Sequence, residues 1–199
     1  GRILLINVPC GDYTITETEA PEGYVLDPDS QTETVSNGQT ATFSFTNSLS
    51  ATGPFRTIGF WKHQFSVSLF GRGDAQVSKE ELINYLDYIC TEYPDSDTLY
   101  ESLCGTNQKE RFLAAYKALS TSSSMEEKAK QQYLATLLNL AANPDDLNKL
   151  VDTNFDGIAD MVFKDAIDLV QGILLDPGST SADFEHAKDI CDSINNMHE

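Results

Sequence analysis

Apolar residues recur along this chain in two rhythms, and the change between them divides it. Up to residue 49 the rhythm is alternation. Tyr13 to Thr18 places Tyr13, Ile15 and Glu17 on one face and Thr14, Thr16 and Thr18 on the other, the period of two that a β-strand requires. Ala20-Pro21-Glu22-Gly23 ends that strand, because proline cannot donate to a ladder and glycine admits a tight turn. Around it lie an apolar run, Ile3 to Val8, bounded by Pro9, and the short segments Tyr24 to Leu26 and Glu33 to Val35. Asn37-Gly38 is a hairpin-type turn, and Ala41 to Thr46 closes the set. Glu17 breaks the pattern, since an acid points where Tyr13 and Ile15 point. A buried carboxylate is costly unless protonated or paired, so this face is either only partly buried or built to hold an acid.

From Thr57 the spacing becomes helical. Ser78 and Glu81 form a capping box, and Leu82, Tyr85, Leu86 and Ile89 follow as one apolar face. Asn107 to Leu119 presents Phe112, Ala115, Tyr116 and Leu119. Thr121-Ser122-Ser123-Ser124 ends in overlapping capping boxes to Glu126 and Glu127, and the helix that follows runs to about Ala142, before Asn143-Pro144. Asp160 to Leu175, stopped by Asp176-Pro177-Gly178, is a fourth helix. Ser181 to Met197 is a fifth, with Phe184, Ala187, Ile190, Cys191 and Ile194 facing inward. The predicted class is α+β as separate domains: a small partial β-sandwich over 1–49, a small-residue linker over 50–56, and an all-α bundle over 57–199.

Composition narrows the function. At 40% hydrophobic residues the chain can bury a core. Its 31 acidic against 13 basic residues, a formal charge of −18, argue against nucleic acid and anionic membranes as partners, since both need basic patches. An acidic surface suits cations. No apolar run approaches the roughly 20 residues of a membrane span. Gly1 is not an initiator residue, so the natural start is expected upstream. Cys10, Cys90, Cys104 and Cys191 have no metal-type spacing. Cys90 and Cys104 flank a polar turn and are the natural local pair. That would leave Cys10 with Cys191, and four free thiols are the other reading.

One loop carries metal chemistry. Asp152-Thr153-Asn154-Phe155-Asp156-Gly157-Ile158-Ala159-Asp160 sets oxygen ligands at alternate positions and then a glycine, which a loop needs to wrap a hard cation. Asp152, Asn154 and Asp156 would give side-chain oxygens, Ile158 its carbonyl, and Asp160 would bind directly or through water. Phe163 stands where an EF-hand has its bidentate Glu, so Asp165 or Asp168 would have to supply a further ligand. The loop resembles the calcium loops of thrombospondin type 3 repeats and dockerins, which implies Ca2+ as the ligand. The other reading is a solvated acidic turn.

Tyr13-x-Ile15-x-Glu17-Thr18-x-Ala20-Pro21-x-Gly23-Tyr24 resembles the E-box of Cna-B/SpaA-type domains, the prealbumin-like sandwiches of bacterial surface proteins and pilins. The resemblance implies an extracellular, cell-surface location in a prokaryote and, with it, disulfides rather than thiols. It also implies a role for Glu17 as the buried acid that promotes an isopeptide bond between a Lys and an Asn, with Asn47 as acceptor. The Lys of that family belongs to the first strand, which would lie upstream of Gly1. The first Lys here is Lys62, beyond the domain, and Arg2 cannot substitute because a guanidinium does not deprotonate at accessible pH. The resemblance therefore covers roughly the second half of such a domain. Either the chain is part of a longer protein or the other strands come from elsewhere.

Arg56-Thr57-Ile58-Gly59-Phe60-Trp61-Lys62-His63 resembles the opening of secreted bacterial and archaeal modules in which an Asp-Gly-x-x-Asp loop and an Ala-Lys-Asp-x-x-Asp-x-Ile-Asn-Asn helix, here Ala187 to Asn196, recur. Trp61 with His63 reads either as a sugar platform or as core packing. Arg72-Gly73-Asp74 is the integrin tripeptide and reads first as an ordinary loop. No nucleophile constellation stands out, so no enzyme activity is expected. These signals together predict a surface or matrix protein with a structural or adhesive role. Its partners would be other surface proteins or neighbouring subunits. The alternatives are a calcium-dependent carbohydrate- or protein-binding module and a filament subunit completed by a neighbour's strands.

Overall fold

The computed structural model describes residues 3–18, 24–25, 29–45, 48–49, 55–120 and 123–196. The chain divides into two compact units, Gly1–Ala51 and Thr52–Glu199.

In the first unit β1 (Gly11–Ile15) pairs antiparallel with β3 (Gln31–Val35), Tyr13 opposite Glu33. The short β2 (Tyr24–Val25) pairs with β4 (Ser48–Leu49). Threonines form the rungs: Thr14 and Thr32 share a hydroxyl hydrogen bond of 2.8 Å, and the Thr34 hydroxyl donates to Asp12 at 2.6 Å. The predicted alternation is present, with Tyr13, Ile15 and Glu17 half-buried and the intervening threonines exposed. The strand itself begins two residues and ends three residues earlier than predicted. Asn37-Gly38 forms the expected turn, with Gly38 at φ +72° and the Gln39 N–H donating to Ser36 O at 3.0 Å. The last predicted strand differs. Residues 41–45 join no backbone ladder; the Gln31 carboxamide bonds the Ser44 backbone at both its N–H and C=O instead. Among the described residues the two ladders do not build a closed sandwich, and Ile3–Ile6 pairs with no strand and lies exposed.

The second unit is helical: α1 (Ile58–Phe70), α2 (Lys79–Glu92), α3 (Ser96–Leu99), α4 (Gln108–Ala118), α5 (Met125–Ala142), α6 (Phe163–Leu175) and α7 (Ser181–Asn195). Side-chain caps start them where the sequence places them. Ser78 with Glu81 and Ser124 with Glu127 close capping boxes, and the Asn107 carboxamide oxygen takes the Lys109 and Glu110 N–H groups. Glu127 also accepts from the Ser123 hydroxyl and N–H, which holds its carboxyl near 2.

α5 is the axis of this unit. From Tyr133 to Ala141 every residue is buried, the pattern of a helix surrounded by others. α7 lies along it, and α1, α2, α4 and α6 pack around it. Phe65 meets Phe112 edge-on at 5.5 Å and Phe55 meets Phe163 at 5.4 Å. Of the predicted inward faces, Leu82, Leu86 and Ile89 of α2, Phe112, Ala115 and Leu119 of the α4 stretch and Ala187, Ile190, Cys191 and Ile194 of α7 are buried, while Tyr85, Tyr116 and Phe184 pack half-buried against the core. Cys90 and Cys104 form the expected disulfide. The expected partnership of the other two cysteines fails. Cys10 is an exposed free thiol and Cys191 a buried one. Cys191 points from α7 into the packed helices, where burial pushes its pKa up to about 12 against a lowering hydrogen bond with Thr136.

Candidate functional site: an acidic hairpin loop and the E-box strand

Residues 152–160 cap a small hairpin. β5 (Leu150–Val151) pairs antiparallel with β6 (Met161–Val162), and the Phe163 N–H to Lys149 O bond of 2.8 Å locks its base. β6 takes the first residues of the helix predicted from Asp160, so that helix begins at Phe163, whose ring is core.

The loop folds around its own carboxylates. Asp152 is buried. Its Oδ1 accepts from the Asn154 and Phe155 N–H groups and its Oδ2 from Gly157, each at 2.9 Å. Asn154 Oδ1 accepts from Asp156 N–H at 2.9 Å, and Asp156 Oδ1 from Ile158 N–H at 2.8 Å. Asp160 closes the ring, accepting from the Thr153 hydroxyl at 2.8 Å and Asn154 Nδ2 at 2.9 Å. Such a course needs positive φ at Gly157 (+82°) and at Phe155 (+63°), the latter strained for an aromatic residue. Burial alone would raise the Asp152 pKa, but the three N–H groups and the Ser193 hydroxyl outweigh it and hold the carboxyl below its ordinary value.

All five predicted metal ligands, Asp152, Asn154, Asp156, Ile158 and Asp160, thus lie in one preformed turn. The donor chemistry fits a hard cation: each carboxylate oxygen that takes one N–H keeps a second lone pair. The packing is looser. Among the described residues no three Asp, Glu, His or Cys side chains converge as a metal-holding group. Asp165 is exposed, and Asp168, the other predicted helper, is held by Lys164 on its own helix.

Of the E-box residues, Tyr13 and Ile15 lie in β1 and Glu17 just past it, half-buried rather than enclosed. The proposed acceptor Asn47 and the turn at 20–23 lie outside the described residues. Trp61 is 1% exposed and offers no face for a sugar; it is core, and His63 beside it is on the surface.

Sequence reading missed Asn139. Its Oδ1 accepts from the Trp61 indole N–H at 3.0 Å and the Arg56 N–H at 2.7 Å. Its Nδ2 donates to Arg56 O and to Asn195 Oδ1, both at 2.9 Å. All four positions of a buried carboxamide are filled. Asn195 in turn donates to the Gln132 backbone and side chain. The opening motif around Trp61 and the closing motif around Asn195 therefore meet at one residue of α5. The available signal was an asparagine inside the apolar run Leu137-Leu138-Asn139-Leu140.

Arg72-Gly73-Asp74 occupies the exposed connection between α1 and α2. Among the described residues no helix is long and apolar enough to cross a membrane. Residues 1–49 match the family model described as the SpaA prealbumin-like fold domain. No curated protein and no solved structure matches the chain.

Proposed function

We propose that this chain is a non-enzymatic structural component of a prokaryotic cell surface or surface filament, built from a prealbumin-like β unit and a helical module. The match of residues 1–49 to the SpaA prealbumin-like model carries the reading, because such domains are typical of surface and pilus-type structural proteins. The Cys90–Cys104 disulfide supports an oxidising location. Protease treatment of intact cells of the source organism is expected to remove the protein while cytoplasmic markers survive. Full protection would overturn the assignment.

We further infer that the 152–160 loop takes Ca2+ and that the ion stiffens the helical module. The support is the alternating oxygen donors, the preformed turn and the acidic balance of the chain. A ligand present at 100 times its dissociation constant and bound only by the folded state adds about 2.7 kcal/mol. Millimolar calcium is expected to raise the melting temperature, and Asp156→Ala, whose side chain is exposed, to abolish the rise. No shift at millimolar calcium would make the loop an ordinary acidic turn.

A second reading draws on Ile3, Leu4, Leu5 and Ile6, which are 89%, 69%, 69% and 72% exposed. Four consecutive exposed apolar residues are a segment suited to strand addition. In this reading a neighbouring subunit pairs with the β unit and supplies the Lys that joins Asn47, with Glu17 as the promoting acid. Intact-mass analysis of native assemblies would then show chains linked with loss of ammonia. Finding only unlinked chains would remove it.

A further inference from the structure

We propose that Arg72-Gly73-Asp74 is a receptor-recognition site, fitted to an adhesion receptor that takes a guanidinium into an acidic pocket and a carboxylate onto a bound divalent cation. The first support is charge accounting. Three arginines are described. Arg56 lies over the Phe60 ring at 5.0 Å, and Arg111 pairs with Asp87 at 2.7 Å and donates to Leu103 O at 2.9 Å. Arg72 has neither a hydrogen bond nor an ion pair nor a ring contact among the described residues, and the same is true of Asp74. In a chain with 31 acids and 13 bases, an arginine left unpaired beside an unpaired acid is fully available to a ligand.

The second support is rigidity. Residues 71–76 are exposed, yet both ends of the loop are fastened. The Gly71 N–H donates to Val67 O at 2.8 Å with Gly71 left-handed at φ +70°. At the other end Gln64 is wholly buried, and its Oε1 accepts from the Gln76 and Val77 N–H groups at 2.8 and 3.1 Å. Between them Gly73 sits at φ +103°, and a Cβ there would lie 2.9 Å from the His63 ring and 3.2 Å from Val67. The tripeptide is thus two free, opposite charges flanking a glycine that packs closely against His63 and Val67 of α1. A loop already ordered before binding avoids most of the entropy cost of being fixed by a partner. The chemistry of the two arms then selects the partner: a planar guanidinium suits an acidic pocket, and an unpaired carboxylate suits a hard cation.

This deepens the adhesive side of the surface reading and needs the protein outside the cell, but the test uses purified components. The full chain is immobilised and an Arg-Gly-Asp-binding integrin ectodomain is passed over it in magnesium and manganese buffer. Binding is expected, with removal by EDTA and a loss of roughly tenfold or more in Asp74→Glu and Arg72→Gln. Neither residue has a partner to lose, so the unfolding curves of these variants are expected to match the parent. A chain stripped of calcium beforehand is expected to bind the receptor equally well in that buffer, which assigns the EDTA effect to the receptor's cation rather than to calcium in the 152–160 loop. No binding, or equal binding by Asp74→Glu, overturns the proposal while leaving the surface assignment to the protease experiment.

Discussion

The two units solve the problem of stability differently. The helical unit buries Trp61, Phe65, Tyr133, Phe163 and a run of leucines completely. In the β unit no described residue is buried, and four consecutive apolar side chains, Ile3 to Ile6, face solvent. Hydrophobic burial is the main favourable term in folding, so the difference bears directly on which unit can hold itself together. Backbone ladders do not replace a core, because each hydrogen bond exchanges one with water for little net gain. A pair of two-stranded ladders is marginal alone.

That contrast breaks most easily if the units are separated. Residues 52–199 alone are expected to keep the cooperative unfolding transition of the whole chain, while residues 1–51 alone should show no lasting hydrogen-exchange protection. Slow-exchanging amides in β1 and β3 of the isolated β unit would refute the comparison. Next comes thiol access, which samples one cysteine in each unit. A neutral alkylating reagent is expected to modify Cys10 in the native protein and to leave Cys191 untouched until denaturant is added, since Cys191 is buried and its pKa is pushed to about 12. Mass mapping reads the result.

Within the helical unit, Trp61→Ala should cost about 3–5 kcal/mol in a denaturant titration, through cavity formation and the loss of one of the two hydrogen bonds to the Asn139 oxygen. Replacing Cys90 and Cys104 by serine, which opens a bridge between residues 14 apart, should cost about 3 kcal/mol. The smallest effect is at the hairpin loop. The Asp152 pKa is lowered on folding, so its contribution is present above the unfolded value near 3.9 and is lost as pH falls through the lower folded value. Melting temperatures between about pH 5 and pH 2, in calcium-free buffer, should fall more steeply for the parent than for Asp152→Asn. Equal slopes would mean the carboxylate does not hold the loop.

Much of the helical unit was legible from local rules. The Ser78–Glu81 and Ser124–Glu127 caps, the stop at Asn143-Pro144 and the apolar faces of α2 and α7 depend on residues three or four apart, and they appear where the sequence puts them. The Cys90–Cys104 pair followed from a short turn between helices. Other expectations failed for a reason that distance along the chain explains. Ala41 to Thr46 alternates correctly, yet alternation names a face and not a partner, and here a side chain of β3 takes the backbone bonds of Ser44. The Cys10–Cys191 pairing assumed that two leftover thiols would meet, whereas α7 turns Cys191 into its own core. The hairpin at 150–162 was hidden because two-residue strands give no period to read.

By itself, then, the sequence determined the two rhythms, the helix caps, the acidic loop with its turn glycine and the E-box wording of the first unit. These are short-range properties, set by backbone preference and by neighbours within one turn. Only the tertiary structure decided that Trp61 is core, that Asn139 joins Arg56 to Asn195 across more than fifty residues on either side, and that Ile3 to Ile6 stays in water. Those outcomes depend on which surfaces pack together, and burial is a property of the assembled fold rather than of any stretch of chain.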